Sequence, residues 1–596
     1  MAKSSGSWNR FQYLRIRKRI SSTARGVEAV ASRHARKFIL ERWKSAKSVR
    51  RNIGIWLVGV GLLITAVIVQ FLVVRNVYTD IAKIDGGTYA EGIYSKLETL
   101  NPILASAQAE YSASRLIFSS LFRYDDTGSL SADLAKGYKV SDDGKTYTVT
   151  LRSDASWHDG NPVTVDDIMF TVGLLKKPAS GSTLSGSWRD IQAVRIDNQK
   201  IAFNLPSAYA PFPHALTFSI LPKHILKDVP LNGLREHRFS KEPIGSGPFI
   251  YRYTQQVKGS GTHTVLHLKK NNSYYGGAVK LDRFQVHAYE DRDELAAALR
   301  TQAVNAASGL SLNSLKTFDD NGRFESRSTP IQAGVYALFN TSSVLKDKTL
   351  RKALQVGTDV DKLLSSLEWK PQRMDMPFTK NQINTDIKKP AYNLSVAKKM
   401  LDESGWKVGV EGVRYKNKKP LRLRLMYLKD TDYEVVVEGL ARQWRNLGFQ
   451  VEANSVDAKD PSQNFVSSVL QPRNFDVLVH ELTVGADPDG YAYWHSSQAS
   501  ARGLNFTNFK DEVSDDALSS ARARQESSLR QAKYESFLRR WYSEAPAIGL
   551  YQSSAAYVTS SKVGAASKHA RFVTESDRYY NVIDWTARSG VVYKTP

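Results

Sequence analysis

From Ile53 to Val74 the chain holds 22 consecutive uncharged, mostly apolar positions, closed off by Arg50-Arg51 and Arg75. At a rise of ~1.5 Å per residue, such a helix covers the roughly 30 Å hydrocarbon core of a bilayer. The pattern then changes character. Tyr147, Val149 and Leu151 alternate with threonines, the period of a half-buried strand. Thr164 and Asp167 form an N-cap with an acid at N3 ahead of the apolar run Ile168, Met169, Val172 and Leu175, which predicts a helix start. Val194/Ile196 and Ile201/Phe203/Leu205 flank four polar residues and predict a β-hairpin. Further on, Leu421, Leu423, Leu425 and Tyr427 alternate as a strand. Val437, Leu440, Ala441, Trp444 and Leu447 keep helical spacing up to Gly448, and strands follow from Phe449 and from Phe475. Strand, helix, strand with short connections predicts a βαβ-rich α/β lobe.

Charge sets the expected orientation of the apolar helix. Residues 1–51 contain 15 Lys or Arg against Glu28 and Glu41, a balance of +13, and residues 1–75 hold +14 of the chain's +24. By the positive-inside rule the N-terminus stays in the cytoplasm and the bulk of the chain is translocated. No small-residue cleavage site follows the apolar run, and without a cysteine the chain has no site for a lipoprotein's acyl chains. The segment reads as an uncleaved signal anchor at the cell membrane, single-pass, with the bulk extracytoplasmic. The stretch from Phe11 to Lys47 mixes cations with aromatic and aliphatic residues. It suits a helix on an anionic inner leaflet, and equally a tail whose charge only enforces topology. It carries no nucleic-acid-binding motif.

The motifs of catalysis are missing. The chain has no G-x-S-x-G elbow and no H-E-x-x-H pair, and Gly144-Lys145-Thr146 lacks the earlier glycine of a phosphate loop. Its 11 histidines are scattered and it has no cysteine, so neither a metal centre nor disulfides are expected. His158, between Trp157 and Asp159, reads as a hydrogen-bonding turn residue. No catalytic residue and no cofactor is expected, and the chain is read as a non-enzyme.

Several segments in order form a distinctive set. They are Leu100-Asn101-Pro102, Leu116 to Phe122, Ser141 to Tyr147, Leu151 to Gly160, Gly245-Ser246-Gly247-Pro248-Phe249, Asn272 to Tyr275, and Arg351 to Leu354 leading into Asp361. From about Gly87 to the C-terminus this set resembles the family 5 extracytoplasmic solute-binding proteins of ABC importers, the oligopeptide-, dipeptide- and nickel-binding type. In that reading Gly245 and Gly247 permit a tight turn ahead of Pro248.

The resemblance implies an α/β, two-lobed, Venus-flytrap fold with an inserted subdomain, preceded by the transmembrane helix. The expected division is a basic tail over 1–52, the anchor over 53–74, a linker and the start of lobe I over 75–107, and the inserted subdomain over 108–240. Lobe I continues over 241–330, lobe II covers 331–560, and 561–596 return to lobe I. Solute binds in the cleft, which closes over it.

Ser106, Gln108 and Tyr111 match positions that face ligand in dipeptide-binding relatives. The loop from Gly485 to Trp494 adds Asp487, Asp489, Tyr491 and Trp494, a mixture suited to an amphipathic peptide. Equally, Asp487 and Asp489 organise an Asx-type turn around Pro488. Where peptide-binding relatives carry an aspartate for the peptide's α-amino group, this chain has Val484, and where they carry a tryptophan it has Glu481. Either Asp487 or Asp489 takes over that task, or the ligand lacks a free amine there, and the charge at Glu481 is itself able to recruit a cation. The implied function is a membrane-anchored, monomeric receptor delivering oligopeptide or another small solute to an ABC permease. The alternative is an anchored sensor or adhesion protein using the same fold without transport.

Overall fold

The computed structural model describes residues 50–593 apart from 183, 259–261, 319–321, 381, 430, 431, 458, 459, 461 and 568. The basic stretch from Phe11 to Lys47 lies outside the described residues. The chain divides into two compact units, one built of residues 1–82 with 590–596 and one of residues 83–589. In the first, helix α1 (Arg50–Tyr78) carries the apolar run. Its segment Arg50–Val73 is long and apolar enough to cross a membrane, and its residues are exposed.

The second unit is organised on one ten-stranded sheet. In chain order its elements begin with β1 (Thr88–Tyr94) and helix α2 (Gln108–Ile117). A separate four-stranded antiparallel sheet follows, made of β2 (Ala135–Val140), β3 (Thr146–Leu151), β4 (Gln192–Arg195) and β5 (Lys200–Asn204), with α3 (Val165–Leu175) between β3 and β4. The alternation in β3 works as expected, since Tyr147, Val149 and Leu151 are buried and the threonines half-buried. The predicted N-cap also forms: the Asp167 carboxylate accepts from the Thr164 N–H at 2.8 Å and from its hydroxyl at 2.9 Å.

The chain then returns to the large sheet through β6 (Phe249–Lys258), β7 (Thr262–Lys270), β8 (Arg283–Tyr289), helix α4 (Arg292–Arg300) and the short β9 (Ala306–Ser308). Strand β10 (Phe324–Phe339) leads into the C-terminal half. There β11 (Arg422–Leu428), α5 (Glu434–Leu447) and β12 (Gln450–Val456) form the predicted parallel βαβ unit, with Gly448 ending α5 at φ 98°. Strand β13 (Val477–Thr483), helices α6 (Glu512–Ala523) and α7 (Ser527–Glu544), and β14 (Ala547–Ser560) complete the order β12-β11-β13-β10-β14-β9-β1-β8-β7-β6.

Two strands, β10 and β14, cross between the halves. β10 pairs with β13 through Ala333–Phe339, while its first part, Phe324–Pro330, pairs with the end of β14. The register shifts between Pro330 and Gly334, so Ile331 to Ala333 form a bulge where the two lobes meet. That bulge is tied to both sides: the Gln332 carbonyl accepts from the Val484 and Gly485 N–H groups at 2.9 and 3.0 Å, and its own N–H donates to the Val573 carbonyl at 3.1 Å. In lobe II alternate residues of β10 feed different cores. Val335, Ala337 and Phe339 pack under α5, and Tyr336 and Leu338 pack on the opposite face with Trp494 and Trp541.

Gly245 and Gly247 differ from the sequence expectation in their reason. Neither has a positive φ. A Cβ on Gly245 would stand 1.9 Å from the Ile117 carbonyl oxygen and one on Gly247 2.8 Å from it, because this segment runs against the C-terminal end of α2. The glycines permit close approach, and the Gly247 N–H donates to that same carbonyl at 2.8 Å. His158 braces the segment as a turn residue. Its Nδ1 accepts from the Gly245 N–H at 3.2 Å and its Nε2 lies 3.0 Å from the Gly247 carbonyl.

Candidate functional site

A cleft of about 560 Å³ lies between the lobes. Its first wall is the exposed face of α2, where Gln108, Tyr111 and Arg115 recur at helical spacing. The loop before this helix is fixed by one buried carboxylate. Glu110 Oε1 accepts from the N–H groups of Glu98 and Thr99 at 3.0 and 3.2 Å, and Oε2 from those of Ser106 and Ala107 at 2.7 and 3.1 Å. Four backbone donors on one carboxylate orient the start of the helix, and with it Gln108 and Tyr111.

The other walls come from distant parts of the chain. Ser182, Leu184, Ser187 and Trp188 close one side together with His214, Thr217 and Phe218. The indole of Trp188 is buried edge-on against Phe218 at 5.1 Å. Lobe II contributes Ile331 and Ala333 of the crossing bulge and Glu481 and Thr483 at the end of β13. The returning segment supplies Val573 to Ser576. Its shape follows from a second capping box, in which the Asp577 carboxylate accepts from the Thr574 N–H at 2.7 Å and hydroxyl at 2.9 Å. Gln108 donates to the Ser576 hydroxyl at 3.2 Å, and Arg115 pairs with Asp577 at 3.2 Å, so α2 and the returning segment form one wall.

Electrostatically the cleft is acidic. Its charged lining residues are Arg115, Glu481 and Glu575, and Arg115 is committed to Asp577. Burial raises the Glu481 carboxyl above the usual range, against the effect of the nearby Ser553 hydroxyl. Burial also raises Glu575, where the Arg578 charge opposes the shift and the Glu481 charge adds to it.

The eight candidate residues fall in several environments. Gln108 and Tyr111 line the cleft. Ser106 is exposed, with its backbone N–H on Glu110. Val484 is half-buried and bonds through its backbone to Gln332 at the crossing bulge. Asp487 pairs with Arg530 at 2.5 Å and Asp489 with Arg522 at 2.7 Å. The Arg522 guanidinium also lies 4.0 Å from the centre of the Tyr491 ring. Trp494 is 1% exposed, edge-on to Trp541 at 5.7 Å in the lobe II core.

Thr483, Glu575, Ser576 and Trp188 line the cleft without having been singled out in the sequence. The Thr574-x-x-Asp577 pattern was the available signal for the returning segment. Among the described residues no group of three or more His, Asp or Glu side chains is placed to hold a metal ion.

Comparison with known proteins agrees with this architecture. The sequence profile of bacterial extracellular solute-binding proteins, family 5 (middle region), matches residues 129–503. Protein XP55 of Streptomyces lividans is 28% identical over 469 residues, 76% of this chain and 81% of the relative. The oligopeptide-binding protein AppA of Bacillus subtilis is 26% identical over 484 residues, 78% of this chain and 86% of the relative. The crystal structure of NikZ from Campylobacter jejuni in complex with Ni(L-His) superposes with a TM-score of 0.72 at 25% identity, covering 84% of this chain and 99% of that one.

Proposed function

The chain belongs to the bacterial extracellular solute-binding proteins of family 5, and from that premise we propose that it is a membrane-anchored receptor that captures oligopeptides and delivers them to an ABC permease. The observation that carries this reading is the cleft itself, lying between two lobes that, among the described residues, β10 and β14 join as continuous strands of one sheet. Ligand touching both lobes lowers the free energy of the closed arrangement, and the closed arrangement docks on the permease. AppA, named for oligopeptide binding, supports the peptide class. The cleft also has the mixture a peptide needs, with aromatic rings at Tyr111 and Phe218 and hydroxyl or amide groups at Gln108, Ser187, Thr217, Thr483 and Ser576. Helix α1 holds the receptor at the membrane with residues 1–49 in the cytoplasm, and the receptor acts as a monomer without cofactor.

Calorimetry of the full-length protein in detergent, stripped of bound solute by unfolding and refolding, tests the proposal against a mixed tri- to pentapeptide library. Saturable binding is expected. Absence of binding to every peptide pool would end the peptide reading.

A further inference from the structure

Glu481 and Glu575 approach the same cleft from opposite lobes, the first at the end of β13 and the second on the returning segment. Neither has a cation in direct contact among the described residues, and the Arg578 and Arg292 charges act on Glu575 only from farther off. Arg115 is held by Asp577. Arg578 spends its guanidinium on the Glu91 carboxylate, the Ser112 and Tyr579 hydroxyls and the backbone carbonyl of Glu575. Among the described residues no salt bridge reaches Glu481 or Glu575. Two ionised carboxylates facing one cleft repel each other and resist closure unless a positive charge enters between them.

A second observation points the same way. Val335 of β10 pairs with Glu481 on one side and with Tyr551 on the other, so these two side chains share a face of the sheet. The Tyr551 hydroxyl oxygen, in a residue 3% exposed, makes no hydrogen bond, while the Ser553 hydroxyl faces Glu481 itself. A buried hydroxyl oxygen without a partner is uncommon, and on the sheet face it shares with Glu481 it offers an acceptor for an N–H donor. A bare metal ion would satisfy the charge but bring no such donors.

We propose that the solute carries a cationic nitrogen group, an ammonium or guanidinium, that seats between Glu481 of lobe II and Glu575 of lobe I and so holds the lobes together. The inference rests on the cleft being the solute site and adds the charge of the solute and the residues that read it. The seat lies three positions before Val484 along β13 and is shared with the other lobe, so recognition of charge and closure of the cleft become one event. Neutralising one carboxylate removes the preference for cations, because the remaining one no longer bridges.

The test is calorimetry of the full-length protein in detergent, as wild type, Glu481→Gln, Glu575→Gln and the conservative Glu481→Asp. Five probes are used: tetra-alanine, N-acetyl-tetra-alanine amide, the acetylated amide of Ala-Lys-Ala-Ala, spermidine, and Ni²⁺ with L-histidine. Unfolding midpoints of each variant establish that it is folded. Tetra-alanine and the lysine peptide should bind at least about tenfold more tightly than the uncharged peptide, a preference of roughly 1.4 kcal/mol. Both glutamine variants should reduce it to within about twofold, and Glu481→Asp should retain part of it. Equal binding of charged and uncharged peptides would overturn the inference and leave the peptide reading standing. Glutamate-dependent binding of spermidine with no peptide bound would support the inference and end the peptide reading. Binding of the nickel–histidine pair alone, or of no cationic probe, would overturn it.

Discussion

Glu91 and Arg578, 487 positions apart in the chain, form an ion pair at 2.8 Å in which neither side chain is more than 3% exposed. Tyr579 donates to the second Glu91 oxygen at 2.5 Å, and Ser112 accepts from the guanidinium at 3.1 Å. The pair fastens the returning segment to the first strand of lobe I, and Arg578 binds the Glu575 carbonyl directly at 2.7 Å. Arg578→Met should therefore destabilise the protein by about 3–5 kcal/mol, because Glu91 is left buried and uncompensated. Replacing both partners with apolar residues of similar volume should cost less than the single change. Urea unfolding of the three proteins checks this, and equal costs would mean that the charges are not coupled.

A second prediction concerns closure. The Arg522 guanidinium lies between the rings of Tyr491 in lobe II and Tyr209 beyond the cleft, at 4.0 and 4.8 Å, while the Arg522 carbonyl accepts from the Ala210 N–H at 2.8 Å. Gln525 donates to the Tyr147 hydroxyl at 2.8 Å. The double variant Arg522→Ala/Gln525→Ala should shift the protein toward an open arrangement by about 1–3 kcal/mol. Small-angle scattering should report a larger radius of gyration, and an unchanged radius would refute a role for these contacts in closure.

Gly245→Ala should destabilise by at least about 1–3 kcal/mol, since the added methyl meets the Ile117 carbonyl oxygen at 1.9 Å and backbone must move on both sides. Gly160→Ala makes the comparison informative. Gly160 has φ 91° but open space around it, so its cost comes from backbone strain alone. Thermal unfolding of both separates steric from conformational cost.

Acid should weaken the fold over the range in which the unfolded chain's histidines titrate. Burial holds His158, His287 and His480 each at about 4, against an unfolded value near 6.5. Because their folded values are depressed, the unfolded chain binds protons first, and stability falls as pH drops from about 6.5 toward 4. Glu481 and Glu575, with raised carboxyls, act in the opposite sense and lose stability as pH rises. The unfolding midpoint should drop steeply between pH 6.5 and 4, and His480→Asn should flatten the slope. A midpoint independent of pH over that window would contradict the assignment.

The parts of the structure that were legible in the sequence are those built from neighbours. Thr164 and Asp167 lie three residues apart, and the βαβ unit from Leu421 to Val456 carries its own periodicity, so local pattern sufficed for both. The fold came through the order of the segments from Asn101 to Asp361. The cleft was harder to read, because its charges are sorted by long-range pairing. Asp487 and Asp489 look available in sequence, and only the packing of α6 and α7 brings Arg522 and Arg530 to them. Glu575 sits in a stretch without periodicity, and its place in the cleft depends on Glu91 at the other end of the chain.

The strand order has a consequence for how the protein is made. β14, which joins the two half-sheets, is the last of the ten strands to leave the ribosome. Until it arrives, β10 on one side and β9 on the other each present an unpaired row of backbone donors and acceptors, and β10 is 16 residues long. Such edges template pairing with other chains. Every nascent molecule thus passes through a stage open to aggregation, and a growing chain kept extended until Ser560 has emerged escapes it.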